Sequence, residues 1–222
     1  HRVHRSAGIH IHSGQNSKRP SETSSPTRLK MNDSNGKIIV LAAPSGCGKS
    51  TIINALTEGG DLNLGFSVSA TTRPPRQGET DGVNYHFMTE EEFRDAIAEG
   101  EFVEYEEVYP GRFYGTLRSE IDRITSQGHN IILDLDVNGA LRVKDIYADR
   151  ALAIFIQPPS IEELRRRLMA RGTETAESID ERIDRAEYEL SRADGFDRRV
   201  VNDDLLTAVR QTRNLIDGFL TI

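Results

Sequence analysis

Unbroken apolar runs of five or six residues alternate along this chain with stretches whose apolar positions recur at helical spacing. Lys37-Ile38-Ile39-Val40-Leu41-Ala42 predicts a buried strand, and Thr51-Ile52-Ile53-Asn54-Ala55-Leu56 predicts the helix after it. Gly65 to Thr71 reads as a short strand, with further β-like pieces at Asn84-Tyr85-His86-Phe87 and Glu101-Phe102-Val103-Glu104-Tyr105. Thr72 to Glu79 must be a loop, because two prolines and a glycine exclude regular structure. Thr89-Glu90-Glu91-Glu92 is a capping box opening a helix to about Glu99, and a second helix runs from Leu117 to Gln127, ended by Gly128. Asn130-Ile131-Ile132-Leu133-Asp134-Leu135-Asp136 is an apolar strand with acids at its carboxyl end. Ala151 to Ile156 is another, stopped by Pro158-Pro159. Ser160-Ile161-Glu162-Glu163 and Ser178-Ile179-Asp180-Glu181 each cap a following helix. Phe196 to Val201 is the last strand, and Asp203 to Phe219 an amphipathic closing helix.

Strands alternating with helices predict an α/β fold with a mainly parallel, doubly wound sheet. The short pieces between Ser69 and Thr116 form a small inserted unit. Ligands of such sheets sit at the carboxyl ends of the strands. Two chemically pointed segments fall there, the acids Asp134 and Asp136 and the loop after the first strand.

That loop is Ala43-Pro44-Ser45-Gly46-Cys47-Gly48-Lys49-Ser50, continuing into Thr51. Between a strand and a helix, its glycines let successive backbone N–H groups converge on one phosphate at a helix N-terminus. Lys49 can then reach the terminal phosphates of a nucleotide, and the Ser50 hydroxyl can hold magnesium. The first position is Ala43 where the strict pattern has glycine. The fold expected is therefore a P-loop NTPase-type parallel sheet flanked by helices.

Composition narrows the field. A chain of 222 residues, 36% hydrophobic and 28% charged, suits one core with a small lid. No apolar run approaches 18 residues, so no membrane span is expected. The single cysteine, Cys47, forbids an intrachain disulfide and fits a reducing, cytoplasmic setting. In the phosphate loop it is either a small tolerated residue or, if backbone N–H groups lower its pKa, a reactive thiol. The formal net charge of -7 is uneven: residues 1–30 hold six Lys/Arg and one acid, leaving 22 basic and 34 acidic residues for the remainder. An acidic body argues against nucleic acid as a partner. Residues 1–30, with four of the six histidines and no sustained apolar period, have the composition of a disordered extension or added leader. An organelle transit peptide is the alternative reading. The working domain is expected from Met31 to Ile222.

A second constellation concerns the acceptor. Ser69-Ala70-Thr71-Thr72-Arg73-Pro74-Pro75-Arg76 holds two guanidiniums three residues apart, and arginine binds phosphate oxygens bidentately. Tyr85 and Tyr114 can donate to phosphate, while Glu104 and Asp136 can accept from N–H groups of a base.

At these residues the sequence resembles the guanylate kinase family, from Gly36 to the C-terminus. The resemblance rests on Ser69 to Glu79, Gly82-Val83-Asn84-Tyr85-His86-Phe87, Phe113-Tyr114-Gly115-Thr116, Ile132 to Gly139 and Arg171-Gly172-Thr173-Glu174-Thr175. It implies a core of residues 36–68 and 117–222, a GMP-binding insertion at about 69–116 and a helical lid at about 165–182. It implies transfer of a phosphoryl group from ATP to GMP with Mg2+. Arg73, Arg76, Tyr85 and Tyr114 would hold the GMP phosphate, and Ser69, Glu104, Thr116 and Asp136 would read guanine. Asp134 would join the magnesium network through water. Lys49, Arg73, Arg167, Arg171 and Arg182 would act on the transferring group, and Asn202 would lie beside the donor adenine. Between Glu104 and Tyr114 the chain is one residue longer than the family pattern, which makes Glu107 a competing base contact. The partners implied are the nucleotides ATP and GMP, with a monomer or homodimer as assembly. Two other readings are a non-catalytic guanylate-kinase-like binding module and a kinase of another phosphorylated acceptor. A phosphate-loop GTPase is disfavoured because no Asn-Lys-x-Asp motif is present.

Overall fold

Ile38 to Ala42 have no solvent exposure at all, and they form the central strand of the molecule. The computed structural model describes residues 35–65, 67–170, 172 and 175–222. In chain order its strands are β1 (Ile38–Ala42), β2 (Ala70–Thr71), β3 (His86–Phe87), β4 (Phe102–Tyr109), β5 (Arg112–Leu117), β6 (Ile131–Asp134), β7 (Ala151–Gln157) and β8 (Arg198–Val201). The α-helices are α1 (Lys49–Thr57), α2 (Glu90–Ala98), α3 (Arg118–Ser126), α4 (Val137–Tyr147), α5 (Ile161–Ala170), α6 (Ala176–Ser191) and α7 (Leu205–Leu220). No helix among the described residues is long and apolar enough to cross a membrane.

One sheet has the order β6-β1-β7-β8 and is parallel throughout. Because alternate side chains of a strand face opposite ways, Ile39, Leu41, Ile154 and Ile156 pack with Ile52, Leu56, Leu164, Leu168 and Ile216 on one face. Ile38, Val40, Ala153 and Phe155 pack with Ile121, Ile124 and Val143 on the other. Burial on both faces is why these strands read as continuous apolar runs.

The second sheet, β3-β2-β5-β4, is mixed and carries its own small core of Phe93, Phe102 and Phe113. Their rings stack at 4.2 and 5.1 Å between centroids. The Thr89 capping box forms as expected, with Thr89 Oγ1 accepting from Glu92 N and Glu92 accepting from Thr89 N.

Several sequence expectations are corrected. Among the described residues of the expected strand from Gly65, only Ala70 and Thr71 join the sheet, since the Val68 N–H donates to the Glu120 carboxylate at 3.0 Å. Asp136 does not extend β6; it is the N-cap of α4, accepting from Gly139 N at 2.7 Å. Helix α4 itself and strand β5 had no sequence expectation. The cap of α6 is Thr175, accepting from Ser178 N at 3.2 Å, so Ser178 lies inside the helix.

Candidate active site

The phosphate loop leaves β1 and enters α1 through two glycines that no other residue replaces without strain. Gly46 (φ +93°) and Gly48 (φ +81°) are left-handed, a region that costs L-residues about 1–2 kcal/mol. A Cβ on Gly48 would also lie 2.6 Å from Asn202 Nδ2. That amide braces the loop from beneath, donating to the Cys47 carbonyl at 2.8 Å, and Asn202 is buried. Cys47 faces the core, and burial pushes its thiol up to about 12. The reactive-thiol alternative is therefore corrected: backbone N–H groups do not reach a side chain that points away from the cradle.

A cavity of about 680 Å³ opens over the loop, lined by Ala43 to Thr51, Asp134 to Asp136, Arg182, Arg185 and Glu189. Lys49 Nζ lies against the Asp134 carboxylate and donates to the Leu135 carbonyl at 3.1 Å. Arg182 Nη1 donates to Ser45 Oγ at 2.8 Å, across the mouth of the loop. Arg167 is elsewhere: Glu163 takes its Nε at 2.8 Å and the Asn202 carbonyl its Nη1 at 2.8 Å, outside the cavity lining. With Arg166, it holds the Glu163 carboxyl down near 2. Arg171 lies outside the described residues.

A second cavity, of about 460 Å³, lies between the two sheets and is lined by Ser69, Glu104, Thr116, Asp136, Asn138 and Arg142 among others. Asp134, Leu135 and Asp136 line both cavities. Thr116 Oγ1 donates to Glu104 Oε1 at 2.7 Å. Burial raises the Glu104 carboxyl above its ordinary value, the Thr116 bond opposes this, and Asp136 adds to the rise. The β4–β5 register shifts between Phe102 and Glu104 and again between Glu107 and Tyr109, and Glu104 pairs with Thr116. Glu107 accepts from Gly111 N at 2.9 Å and lines neither cavity.

Arg73 is buried, and Glu79 grips both of its terminal nitrogens at 2.8 and 2.9 Å. The guanidinium also lies 5.3 Å from the Tyr85 ring centre, and Tyr85 meets Tyr114 edge-on at 6.0 Å. Arg73 and the Arg76 N–H hold the Glu79 carboxyl near 2. Arg76 itself is exposed. Ser69, Glu104, Thr116 and Asp136 thus share one cavity, and Lys49, Ser50, Asp134 and Arg182 share the other. Arg185, Glu189, Asn138 and Arg142 were missed. The signal for the first two was the spacing of Arg182, Arg185 and Glu189, which puts them on one face of a helix.

A family model described as "Guanylate kinase" matches residues 35–218. The guanylate kinase of Porphyromonas gingivalis is 55% identical over 184 residues, 83% of this chain and 98% of that protein. That of Salinibacter ruber is 54% identical over 184 residues, covering 83% and 97%. The crystal structure of guanylate kinase from Anaplasma phagocytophilum superposes with a TM-score of 0.61 at 33% identity, covering 86% of this chain and 89% of that one.

Proposed function

This chain belongs to the guanylate kinase family of nucleoside monophosphate kinases, and on that premise we propose that it transfers the γ-phosphoryl group of ATP to GMP, giving ADP and GDP. The observation that carries the proposal is the pair of cavities meeting at Asp134-Leu135-Asp136, one floored by a phosphate cradle and one by carboxylates. Guanine brings N1–H and N2 donors, which suit Glu104 and Asp136, and an O6 acceptor, which suits the Ser69 hydroxyl, while the Thr116 hydroxyl, whose proton goes to Glu104, acts by holding that carboxylate. Adenine carries an acceptor at N1 and would leave a buried carboxylate unpaired, at a cost of about 1–3 kcal/mol.

An oxygen of the GMP phosphate attacks the γ-phosphorus in line. The bond to the β,γ-bridging oxygen breaks, and ADP leaves with its electron pair. No general base is needed, because a phosphate monoester oxygen is already a nucleophile. Catalysis is then positioning and charge neutralisation. Lys49 and Arg182 act from the loop side, and Arg73 and Arg76, with Tyr85 and Tyr114, hold the acceptor phosphate. Arg167 joins the transferring group only if its guanidinium moves off the Asn202 carbonyl and Glu163, where its donors lie. We assign that movement, together with Arg171, to closure of a lid over residues 165–182, which would keep water from the γ-phosphate.

Ser50 and Asp134 bring hard oxygen donors to the loop cavity, of the kind magnesium takes. Among the described residues no group of three His, Cys, Asp or Glu could hold a metal alone, which suits a cation carried chiefly by phosphates and water. Bound there, magnesium would spread the charge of the β- and γ-phosphates. The proposed setting is the cytoplasm, with ATP and GMP as small-molecule partners.

The test is a coupled ADP-release assay with ATP and magnesium, comparing GMP, AMP, CMP and UMP as acceptors. Turnover with GMP alone is expected. Equal turnover with AMP, or none with any acceptor, would overturn the reading.

A further inference from the structure

Helix α6 lines the loop cavity with Arg182, Arg185 and Glu189 and is fastened to one lining residue of each cavity. Toward its start Arg182 donates to Ser45 in the phosphate loop, and further on the Tyr188 hydroxyl donates to Asn138 Oδ1, a lining residue of the second cavity, at 3.3 Å. Arg185 is three residues from each, so at about 1.5 Å rise per residue it sits midway, roughly 4.5 Å along the axis from either anchor. It lines the loop cavity.

Its orientation is set by Glu189, one turn on, which accepts from Arg185 Nε at 3.1 Å. An arginine gripped at Nε keeps both terminal nitrogens for a ligand. Glu189 is only 6% exposed, its Oε2 is buried without a hydrogen-bond partner, and it lines the same cavity. Burying such an acid is costly unless its charge is paired, and Arg185 is the partner that pairs it. Burial raises the Glu189 carboxyl above its ordinary value, the Arg185 bond to Oε1 opposes this, Asp136 adds to the rise and Lys49 lowers it.

We propose that Arg185 is a further catalytic residue that binds the phosphoryl group in transit between the two cavities, and that Glu189 is its positioning residue. The inference rests on the reading of the two cavities as donor and acceptor sites. During transfer, charge redistributes among the γ-phosphoryl oxygens, the β,γ-bridging oxygen of ATP and the attacking oxygen of GMP, so a guanidinium between the two cavities acts on the transition state more than on either substrate.

The experiment compares wild type with Arg185→Ala, Arg185→Lys, Glu189→Gln and the Arg185→Ala/Glu189→Gln double variant. It measures kcat, the KM values, thermal melting, and binding of ATP, GMP and a bisubstrate in which adenosine and guanosine are joined through five phosphates. Arg185→Ala should lower kcat on the order of 10²-fold, with ATP and GMP affinities within threefold and melting unchanged. Bisubstrate affinity should fall at least tenfold. Arg185→Lys should recover part of kcat, lacking the fork. Glu189→Gln should lower kcat severalfold alone and less than twofold in the Arg185→Ala background, which a merely structural role would not do. Arg185→Ala with kcat within twofold of an active wild type overturns the inference and leaves the parent reading intact. An equal effect of Glu189→Gln in both backgrounds overturns the positioning role, and if that variant melts, the two Arg185 variants decide. A wild type that neither phosphorylates GMP nor binds the bisubstrate overturns the parent reading, and this inference with it.

Discussion

Thr116 donates its hydroxyl proton to Glu104 at 2.7 Å across the β4–β5 pair, inside the cavity assigned to guanine. Burial raises the Glu104 carboxyl above 4.5, and the Thr116 bond restrains that rise. A raised carboxyl pKa means the folded protein takes up this proton before the unfolded chain does. The ionised form is the costly one here, and its cost is relieved as pH falls. Base recognition runs the other way, since guanine donors need the carboxylate. KM for GMP should therefore climb as pH falls through the raised pKa, by about tenfold per unit below it. The GMP phosphate titrates too, so the decisive comparison is with Thr116→Val. That variant removes the restraint and should move the acid limb toward neutral pH, while substrate titration stays put. Superimposable profiles of KM against pH would refute this.

Arg73 and Glu79 behave differently in acid. The two-point grip and the Arg76 N–H hold Glu79 near 2, so this pair stays ionised well below the range in which Glu104 takes its proton. Glu79→Gln should raise KM for GMP roughly threefold to tenfold, the difference between a charge-assisted and a neutral hydrogen bond. The rise should be equal at pH 5 and pH 8, with the acid limb unmoved. A pH-dependent rise would show that the phosphate site, not the base site, titrates.

The parts that were legible in sequence are those where one local rule decides. β1 and β7 are buried on both faces, so their runs are wholly apolar, and the Thr89 box needs only residues 89–92. Helix α4 was hidden because Asp136, apparently closing a strand, is a cap whose partner Gly139 weakens the helical pattern. Strand β5 was hidden because it contains Gly115, where a Cβ would come within 2.8 Å of the Glu104 carbonyl and closer to Phe102. The Thr175 cap was hidden because Ser178-Ile179-Asp180-Glu181 spells the full capping box while Thr175 has Ser178 where the box has an acid. Arg167 and Arg182 were read as one group, yet only Arg182 lies on the loop cavity, since helix packing sets the direction of each.

Lys49 separates turnover from stability. Its ion pair with Asp134 has side chains 19% and 46% exposed, the regime in which a pair contributes about 0–1 kcal/mol. Lys49→Ala should melt within a few degrees of wild type while kcat falls on the order of 10²–10⁵-fold. Near-full activity would remove the loop from the chemistry.

Cys47 should resist alkylation. With the thiol at about 12 and its side chain 1% exposed, the thiolate fraction at pH 8 is on the order of 10⁻⁴. Iodoacetamide should label the native chain at least about 100-fold more slowly than the chain in denaturant. Saturating ATP should not change the native rate, because the sulfur faces the core. Rapid native labelling that ATP blocks would restore the reactive-thiol reading.

Gly48 and Gly78 together isolate what the Asn202 brace contributes. Both are left-handed, at φ +81° and +86°, so alanine at either carries the same backbone strain, about 1–2 kcal/mol. They differ in surroundings: nothing lies within 4 Å of a Cβ on Gly78, whereas a Cβ on Gly48 meets Asn202 Nδ2 at 2.6 Å. Gly48→Ala must therefore also displace a buried amide from the Cys47 carbonyl, adding about 1–3 kcal/mol for the unpaired groups. It should melt below Gly78→Ala and lose ATP affinity at least tenfold, with GMP affinity retained, since the second cavity has no loop residue in its lining. Asn202→Ala should lose ATP affinity with the loop glycines intact, because the brace is gone. If Gly48→Ala and Gly78→Ala melt together and bind ATP alike, Asn202 does not hold the cradle.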